Sequence, residues 1–235
     1  MLPNKTTQVE LTDKDDLSSQ AMEAFNTLRT NIQFSGDHVK AIIVTSCTPN
    51  EGKSFTSFRL ARSFAEAGKS VLFIDGDMRK SAFSGRYHVS APTCGLSHLL
   101  SGQKSEEETI YPTNINRLDV VFSGPSAPNP SALLSGDAFS RLIALARAHY
   151  DYIIIDSPPL GPFIDSALMA PSCDGAVLVI ESGVTHYRLA QGVKEQFEKS
   201  GCRFLGVVLN KADAKHDPRY GYGSYYSQYG KYGSY

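Results

Sequence analysis

The chain has 235 residues, 41% hydrophobic and 20% charged, and a formal net charge of −1; nothing global draws such a composition toward nucleic acid or an anionic membrane. Its four cysteines (Cys47, Cys94, Cys173, Cys202) lie far apart without Cys-x-x-Cys spacing, which argues against a disulfide framework or a zinc site. No apolar run reaches the roughly 18–20 residues that cross a bilayer, and the N-terminus is polar rather than signal-like, so the expectation is a cytoplasmic protein.

Residues 1–17 read as a loose N-terminal arm. Ser18 or Ser19 is placed to cap a helix running to about Phe34, with Ala21, Phe25, Leu28 and Ile32 at helical spacing. Ala41–Thr45 reads as a buried strand, and a helix follows from Lys53 to about Ala67, stopped by Gly68. Further apolar strands are expected at Val71–Ile74, Leu118–Phe122, Tyr152–Ile155, Ala176–Ile180 and Phe204–Leu209, with a polar helix near Leu189–Lys199. Apolar strands alternating with helical patterns predict a single α/β domain over residues 18–214, its mostly parallel central sheet flanked by helices. Beyond Ala214 the composition shifts. Tyr220, Tyr222, Tyr225, Tyr226, Tyr229, Tyr232 and Tyr235 alternate with Gly, Ser, Gln and Lys, and residues 215–235 are expected to be a disordered tail.

Ligands of parallel sheets sit at the carboxyl ends of the strands, and three such ends carry chemistry. The first, Ser46-Cys-Thr-Pro-Asn-Glu-Gly-Lys-Ser54, joins a strand to a helix. Backbone amides of such a loop cradle phosphates at the positive end of the helix, which makes the chain a P-loop NTPase. Pro49, Asn50, Glu51, Gly52, Lys53, Ser54 and Phe55 are therefore the expected nucleotide-binding residues, with Lys53 on the β- and γ-phosphates and the Ser54 hydroxyl on Mg²⁺. The strict G-x-x-x-x-G-K-S pattern fails at Cys47, whereas Asn50 tolerates the positive φ that the turn asks for. The second end carries Asp75 and Asp77. Two carboxylates so close after a buried strand need a cation or a proton between them, or else lie in a solvated turn. In the third, Asp156 ends an apolar strand before Ser157-Pro158-Pro159, as in a Walker B segment. All three fall in the order a P-loop fold requires.

On these segments the chain resembles the bacterial tyrosine kinases of capsule and exopolysaccharide export (BY-kinases) along almost its whole length. Thr45–Ser54 is similar to their Walker A segment, Ile74-Asp-Gly-Asp-Met-Arg79 to Walker A′ and Ile153–Pro159 to Walker B. Ser123–Leu134 also resembles a family segment, and the family ends in a tyrosine cluster. The resemblance implies a tyrosine kinase using ATP and Mg²⁺, with Lys53, Asp75, Asp77 and Asp156 catalytic and Asp75 favoured as the base. It implies metal ligation by Ser54, Asp77 and Asp156, and phosphoacceptor tyrosines in the tail. Asn210 stands where related proteins read adenine, or is a plain strand-end turn residue. A form without membrane helices resembles the Gram-positive members, which pair with a transmembrane activator (a polysaccharide co-polymerase) at the inner face of the membrane and answer to a cognate tyrosine phosphatase. The loop differs from the family's Pro-Gly-Glu-Gly-Lys at Asn50. In the ring-forming helix motif Glu-x-x-Arg-x-x-Arg, Glu23 and Arg29 are present but Asn26 replaces the first Arg, which weakens the case for that homo-oligomer; the same helix also reads as one that packs on its own core. The competing readings are a ParA/MinD-like ATPase and a nucleotide-switched scaffold. The first lacks its signature lysine at Thr48 here, and both predict ATP binding without phosphotyrosine.

Overall fold

A computed structural model describes residues 8–12, 17–89 and 94–212; the tail tyrosines lie outside them. Seven strands form one sheet: β1 (Ala41–Ser46), β2 (Val71–Asp75), β3 (Ile110–Pro112), β4 (Leu118–Val121), β5 (Tyr152–Asp156), β6 (Gly175–Glu181) and β7 (Arg203–Asn210). Their order is β3-β4-β2-β5-β1-β6-β7, with every pairing parallel except the antiparallel β3–β4 edge. The mostly parallel P-loop architecture expected from the sequence is thus the observed one.

Alternate residues of the central strands face opposite sides of the sheet. Ala41, Ile43, Ile153 and Ile155 belong to one core, and Ile42, Val44 and Ile154 to the other, which is why these strands read as unbroken apolar runs. Helix α1 (Ser19–Phe34) is capped by the Ser18 side chain, which accepts from the Ala21 amide. Helix α2 (Lys53–Glu66) packs over β1, β2 and β5. Its Phe58 lies in an aromatic cluster with Phe73, Phe83 and Tyr87. The short helices α3 (Phe83–Arg86), α4 (Leu96–Leu100), α5 (Glu106–Thr109) and α6 (Pro130–Leu134) precede α7 (Asp137–His149). Helix α8 (Asp165–Met169) follows β5, and α9 (Tyr187–Lys199) joins β6 to β7, burying Val193 and Phe197.

Two features depart from expectation. Strand β3 is only three residues and includes a proline, too short to show a period in the sequence. The arm is also not loose throughout. Val9 pairs with Thr113, the Val9 amide donates to Pro112 O, and Val9 and Leu11 are buried in the second core. The open backbone groups of the β3 edge invite this pairing, and alternate apolar residues at 9 and 11 fit the pleat.

Candidate functional site

The register of the sheet assembles the site. Asp75 and Asp156 are direct neighbours at the ends of β2 and β5, and Val44 of β1 pairs with Asp156. The three motif-bearing strand ends are therefore side by side, in the order β2, β5, β1.

The loop after β1 turns through left-handed conformations at Asn50 (φ 70°) and Gly52 (φ 93°). A Cβ on Gly52 would come within 2.0 Å of Asn210 Nδ2, so glycine is required twice over, for its φ and for this approach. Surrounding donors occupy the loop carbonyls. Leu160 N donates to Ser46 O (2.9 Å), Gly161 N to Cys47 O (3.1 Å), Lys211 Nζ to Asn50 O (2.9 Å) and Asn210 Nδ2 to Glu51 O (2.9 Å). The Glu51 side chain, buried, accepts from the Thr48 amide (2.7 Å) and from the Thr185 hydroxyl. With carbonyls held outward, the amides from Asn50 to Ser54 are left to a ligand. The N-terminus of α2 has no side-chain cap and no acid in its first turn, so its positive end is open to an anion. The Phe55 ring packs against Phe25, Arg59 and Arg86, so Phe55 can serve a nucleotide only through its backbone. Burial, with Glu51 nearby, pushes the Cys47 thiol up to about 12, which makes it inert.

Lys53 Nζ stands 3.3 Å from Asp77 Oδ2, 3.6 Å from Asp156 Oδ1 and 3.1 Å from Ser54 Oγ. Burial alone would lower its pKa, but Asp156, then Asp77 and Asp75, outweigh this and hold the ammonium charged. Asp156 is pushed up by burial against the pull of Lys53, and its buried Oδ1 makes no hydrogen bond. Asp75, fully buried, is raised to about 7 by desolvation and by Asp156. Three carboxylates thus face one ammonium, and a buried carboxylate oxygen lacks a hydrogen bond. A divalent cation fits there. Among the described residues no group of three or more His, Cys, Asp or Glu side chains forms a metal cage, which suits Mg²⁺, whose other ligands come from phosphate and water.

The two aspartates at the end of β2 are both buried but differ in their partners. The Asp75 carboxylate accepts from the Ser81 hydroxyl and the Asp77 amide. Asp77 Oδ1 accepts from the amides of Arg79 (3.3 Å) and Lys80 (3.0 Å), which leaves Oδ2 to Lys53. Asp77 also lines a cavity of about 300 Å³, together with Lys80, Ser81, Ser84, Ser123 and Ser126, at the small end of ligand clefts. Sequence reasoning missed several residues that hold this region: Asp165, Ser131, Ser81 and Thr185. Ser131 lies in the segment singled out by resemblance, whereas the other three sit in no motif. On α1, Arg29 donates to Ser63 O (2.9 Å) and Ser63 Oγ (2.8 Å) of α2, so this arginine is engaged within its own chain. No described helix is long and apolar enough to cross a membrane.

A family model described as an AAA domain matches residues 39–199. The chain is 44% identical over 218 residues to tyrosine-protein kinase CpsD of Streptococcus pneumoniae, covering 93% of this chain and 96% of the relative. It is 37% identical over 216 residues to tyrosine-protein kinase YwqD of Bacillus subtilis, covering 91% and 90%. Among solved structures, the chimerical protein CapA2B2 superposes with a TM-score of 0.78 at 32% identity, covering 89% of this chain and 96% of that one. The kinase domain of Escherichia coli tyrosine kinase ETK gives 0.76 at 31% identity, covering 86% and 80%. MinD of Pyrococcus horikoshii, at 0.65 and 21% identity over 77% of this chain and 75% of that one, shares the fold. With relatives of this identity matched over nearly its full length, the chain belongs to the bacterial tyrosine kinase family.

Proposed function

We propose that this chain is an ATP-dependent protein-tyrosine kinase that phosphorylates tyrosine hydroxyls, including its own cluster from Tyr220 to Tyr235. One observation carries the reading. Asp77 touches Lys53 on one side, 3.3 Å away, and lines the cavity of about 300 Å³ on the other, which we assign to the acceptor phenol. The loop amides of residues 50–55 and Lys53 hold the β- and γ-phosphates. Ser54, Asp77 and Asp156 would hold a Mg²⁺ ion, directly or through water, and the ion would supply neutralisation of phosphate charge. As the phenol oxygen bonds to the γ-phosphorus, the bond to the β–γ bridging oxygen breaks and ADP leaves, with Asp77 taking the phenol proton. A phenol with a pKa of about 10 gives up its proton late to a carboxylate, so charge stabilisation by Lys53 carries most of the rate. Asp75 is favoured as the base by resemblance, but its burial beneath Ser81 favours Asp77 as the group that meets the phenol. Asp75 instead supports the Asp77 amide. Asn210 acts on the nucleotide through the loop, by its bond to Glu51 O.

In the same reading the kinase regulates synthesis and export of a capsular or extracellular polysaccharide. A transmembrane activator recruits it to the inner face of the membrane through a cytoplasmic segment, and a cognate phosphatase reverses it. Tails reach a neighbouring site by self-association. A ring contact through Glu23 and Arg29 requires release of Arg29 from Ser63, and phosphates of about −1.5 to −2 charges each loosen the assembly. The test is incubation of the full chain with ATP·Mg²⁺, with and without the activator's cytoplasmic segment, and mapping of phosphate by mass spectrometry. Phosphotyrosine in the tail, lost in Lys53→Met, is expected. ATP hydrolysis without phosphotyrosine under both conditions overturns the reading.

A further inference from the structure

The segment between Asp75 and Phe83 is held by an ion pair whose arginine, Arg79, closes the Walker A′-like segment and whose carboxylate, Asp165, lies in no motif. Arg79 Nε lies 2.6 Å from Asp165 Oδ2, and Arg79 Nη2 lies 3.0 Å from Asp165 Oδ1. Ser131 completes the cluster. Its hydroxyl is 2.7 Å from Asp165 Oδ1 and also accepts from Arg79 Nη2 at 2.9 Å. The Arg79 guanidinium lies over the Phe163 ring, 4.5 Å from its centroid. Asp165, at the start of α8, is buried (1% exposed), while the Arg79 side chain keeps 29% of its surface. The cluster thus joins three separate pieces: the loop after β2, helix α6 and the connection that follows β5. Each piece borders the site. Asp77 lies two residues before Arg79, the cavity residues Ser123 and Ser126 precede α6, and Asp156 ends the strand whose connection, residues 157–164, leads into α8.

The coupling to chemistry runs through the backbone. The Arg79 and Lys80 amides donate to Asp77 Oδ1, and this fixes the rotation of the carboxylate that leaves Oδ2 facing Lys53. A planar guanidinium gripped at two points by a buried carboxylate has little freedom. Its backbone amide is therefore anchored too. We propose that Asp165 is a positioning residue for phosphoryl transfer: through its forked pair with Arg79, shared with Ser131, it fixes the Asp77 carboxylate between the phosphate loop and the acceptor cavity. Asp165 does not line the cavity, whereas Arg79 does. The effect on rate rests on the kinase reading above, whereas the effect on the loop does not.

Two measurements on the full chain separate these. Hydrogen exchange over residues 76–80 reads the loop without reference to activity. In Asp165→Asn, which keeps the shape and removes the charge, the Arg79 and Lys80 amides exchange about tenfold faster, while those of Val71–Asp75 keep their wild-type rates. Arg79→Lys, which keeps charge and loses the fork, gives the same pattern and serves where Asp165→Asn does not fold. In steady-state phosphotransfer each variant loses about 30-fold in kcat with KM for ATP within about threefold, and the double variant loses no more than the worse single one. Wild-type exchange over residues 76–80 in the folded variants overturns the proposal. So does a loss shared equally by kcat and ATP affinity, or additive losses in the double variant. If wild type hydrolyses ATP but makes no phosphotyrosine, the kinase reading falls, and the exchange result still decides the role of Asp165.

Discussion

The two loops that meet at Lys53 are held in opposite ways. The phosphate loop, residues 46–54, is fixed by its own backbone: its carbonyls accept from Leu160, Gly161, Asn210 and Lys211, and its turn uses left-handed conformations at Asn50 and Gly52. The loop after β2 is fixed by charged side chains: Asp75 beneath Ser81, Asp77 over two amides and toward Lys53, and Arg79 on Asp165. A rigid amide cradle suits a ligand whose phosphates never change. A loop held by carboxylates and hydroxyls can respond to protons and to an incoming phenol. The difference predicts that damage to the first loop appears in nucleotide binding, and damage to the second in turnover.

The largest effect is expected from Asp77→Asn. The amide cannot take a proton and presents a weaker partner to Lys53, so kcat for tyrosine phosphorylation falls about 10³-fold. Binding of ATP without Mg²⁺, carried by the other loop, stays within a few-fold. Fluorescent-nucleotide titration beside a phosphotyrosine assay reads both, and an equal loss in the two breaks the division between the loops.

Gly52→Ala tests the other side. It places a methyl group 2.0 Å from Asn210 Nδ2 and forces a non-glycine residue to φ 93°. Nucleotide affinity is expected to fall about 10²-fold, from strain of roughly 1–3 kcal/mol plus displacement of the loop. Adding Asn210→Ala removes the clash and leaves the φ penalty, so it restores only part of the affinity. Full restoration means that space alone, not backbone conformation, governs the loop.

The charge-held loop carries a pH signature that the amide-held one lacks. Asp75 is raised from 3.8 to about 7, first by burial and then by Asp156. Between about pH 4 and about pH 7 the folded state keeps a proton that the unfolded state releases, so this group's contribution to stability falls as pH rises through that window. Asp75→Asn removes the titration while keeping an oxygen for the Asp77 amide. The melting midpoint of the variant minus that of wild type should therefore grow by roughly 5 °C from pH 5 to pH 8 without nucleotide. A constant difference shows that Asp75 ionises at its ordinary pKa.

The same contrast explains what was legible beforehand. The buried strands and the phosphate loop could be read because they depend on local pattern: apolar runs at Ala41–Ser46 and Tyr152–Asp156, and Gly-Lys-Ser at a strand-to-helix turn. Their register, which sets Asp75 beside Asp156, then follows from strand order. The Arg79–Asp165–Ser131 cluster that props the second loop could not be read, because it joins residues far apart in sequence. Asp165 lies 86 residues from Arg79, and Ser131 lies 34 from Asp165, with no spacing rule to link them. Three-residue β3 and the Val9–Thr113 pairing were hidden for a related reason: an edge recruits whatever short alternating segment reaches it.

The smallest expected effect tests whether the first loop really depends so little on side chains. Among the loop's own side chains Glu51 is buried, with the Thr185 hydroxyl on one carboxylate oxygen and the Thr48 amide on the other. Thr185→Val keeps the volume and takes away the hydroxyl, which leaves a buried carboxylate oxygen short of a donor at a cost of about 1–2 kcal/mol. If Glu51 orients the turn from residue 48 to 51, part of that cost appears in the ligand-bound state and ATP·Mg²⁺ binds about fivefold more weakly, with kcat unchanged. If the carbonyl bonds from Leu160, Gly161, Asn210 and Lys211 suffice, the variant melts earlier yet binds nucleotide like wild type. Isothermal titration beside a thermal melt distinguishes the two. In the second outcome Glu51 is a strut between the loop and the β6–α9 connection, and the phosphate cradle is a backbone device throughout.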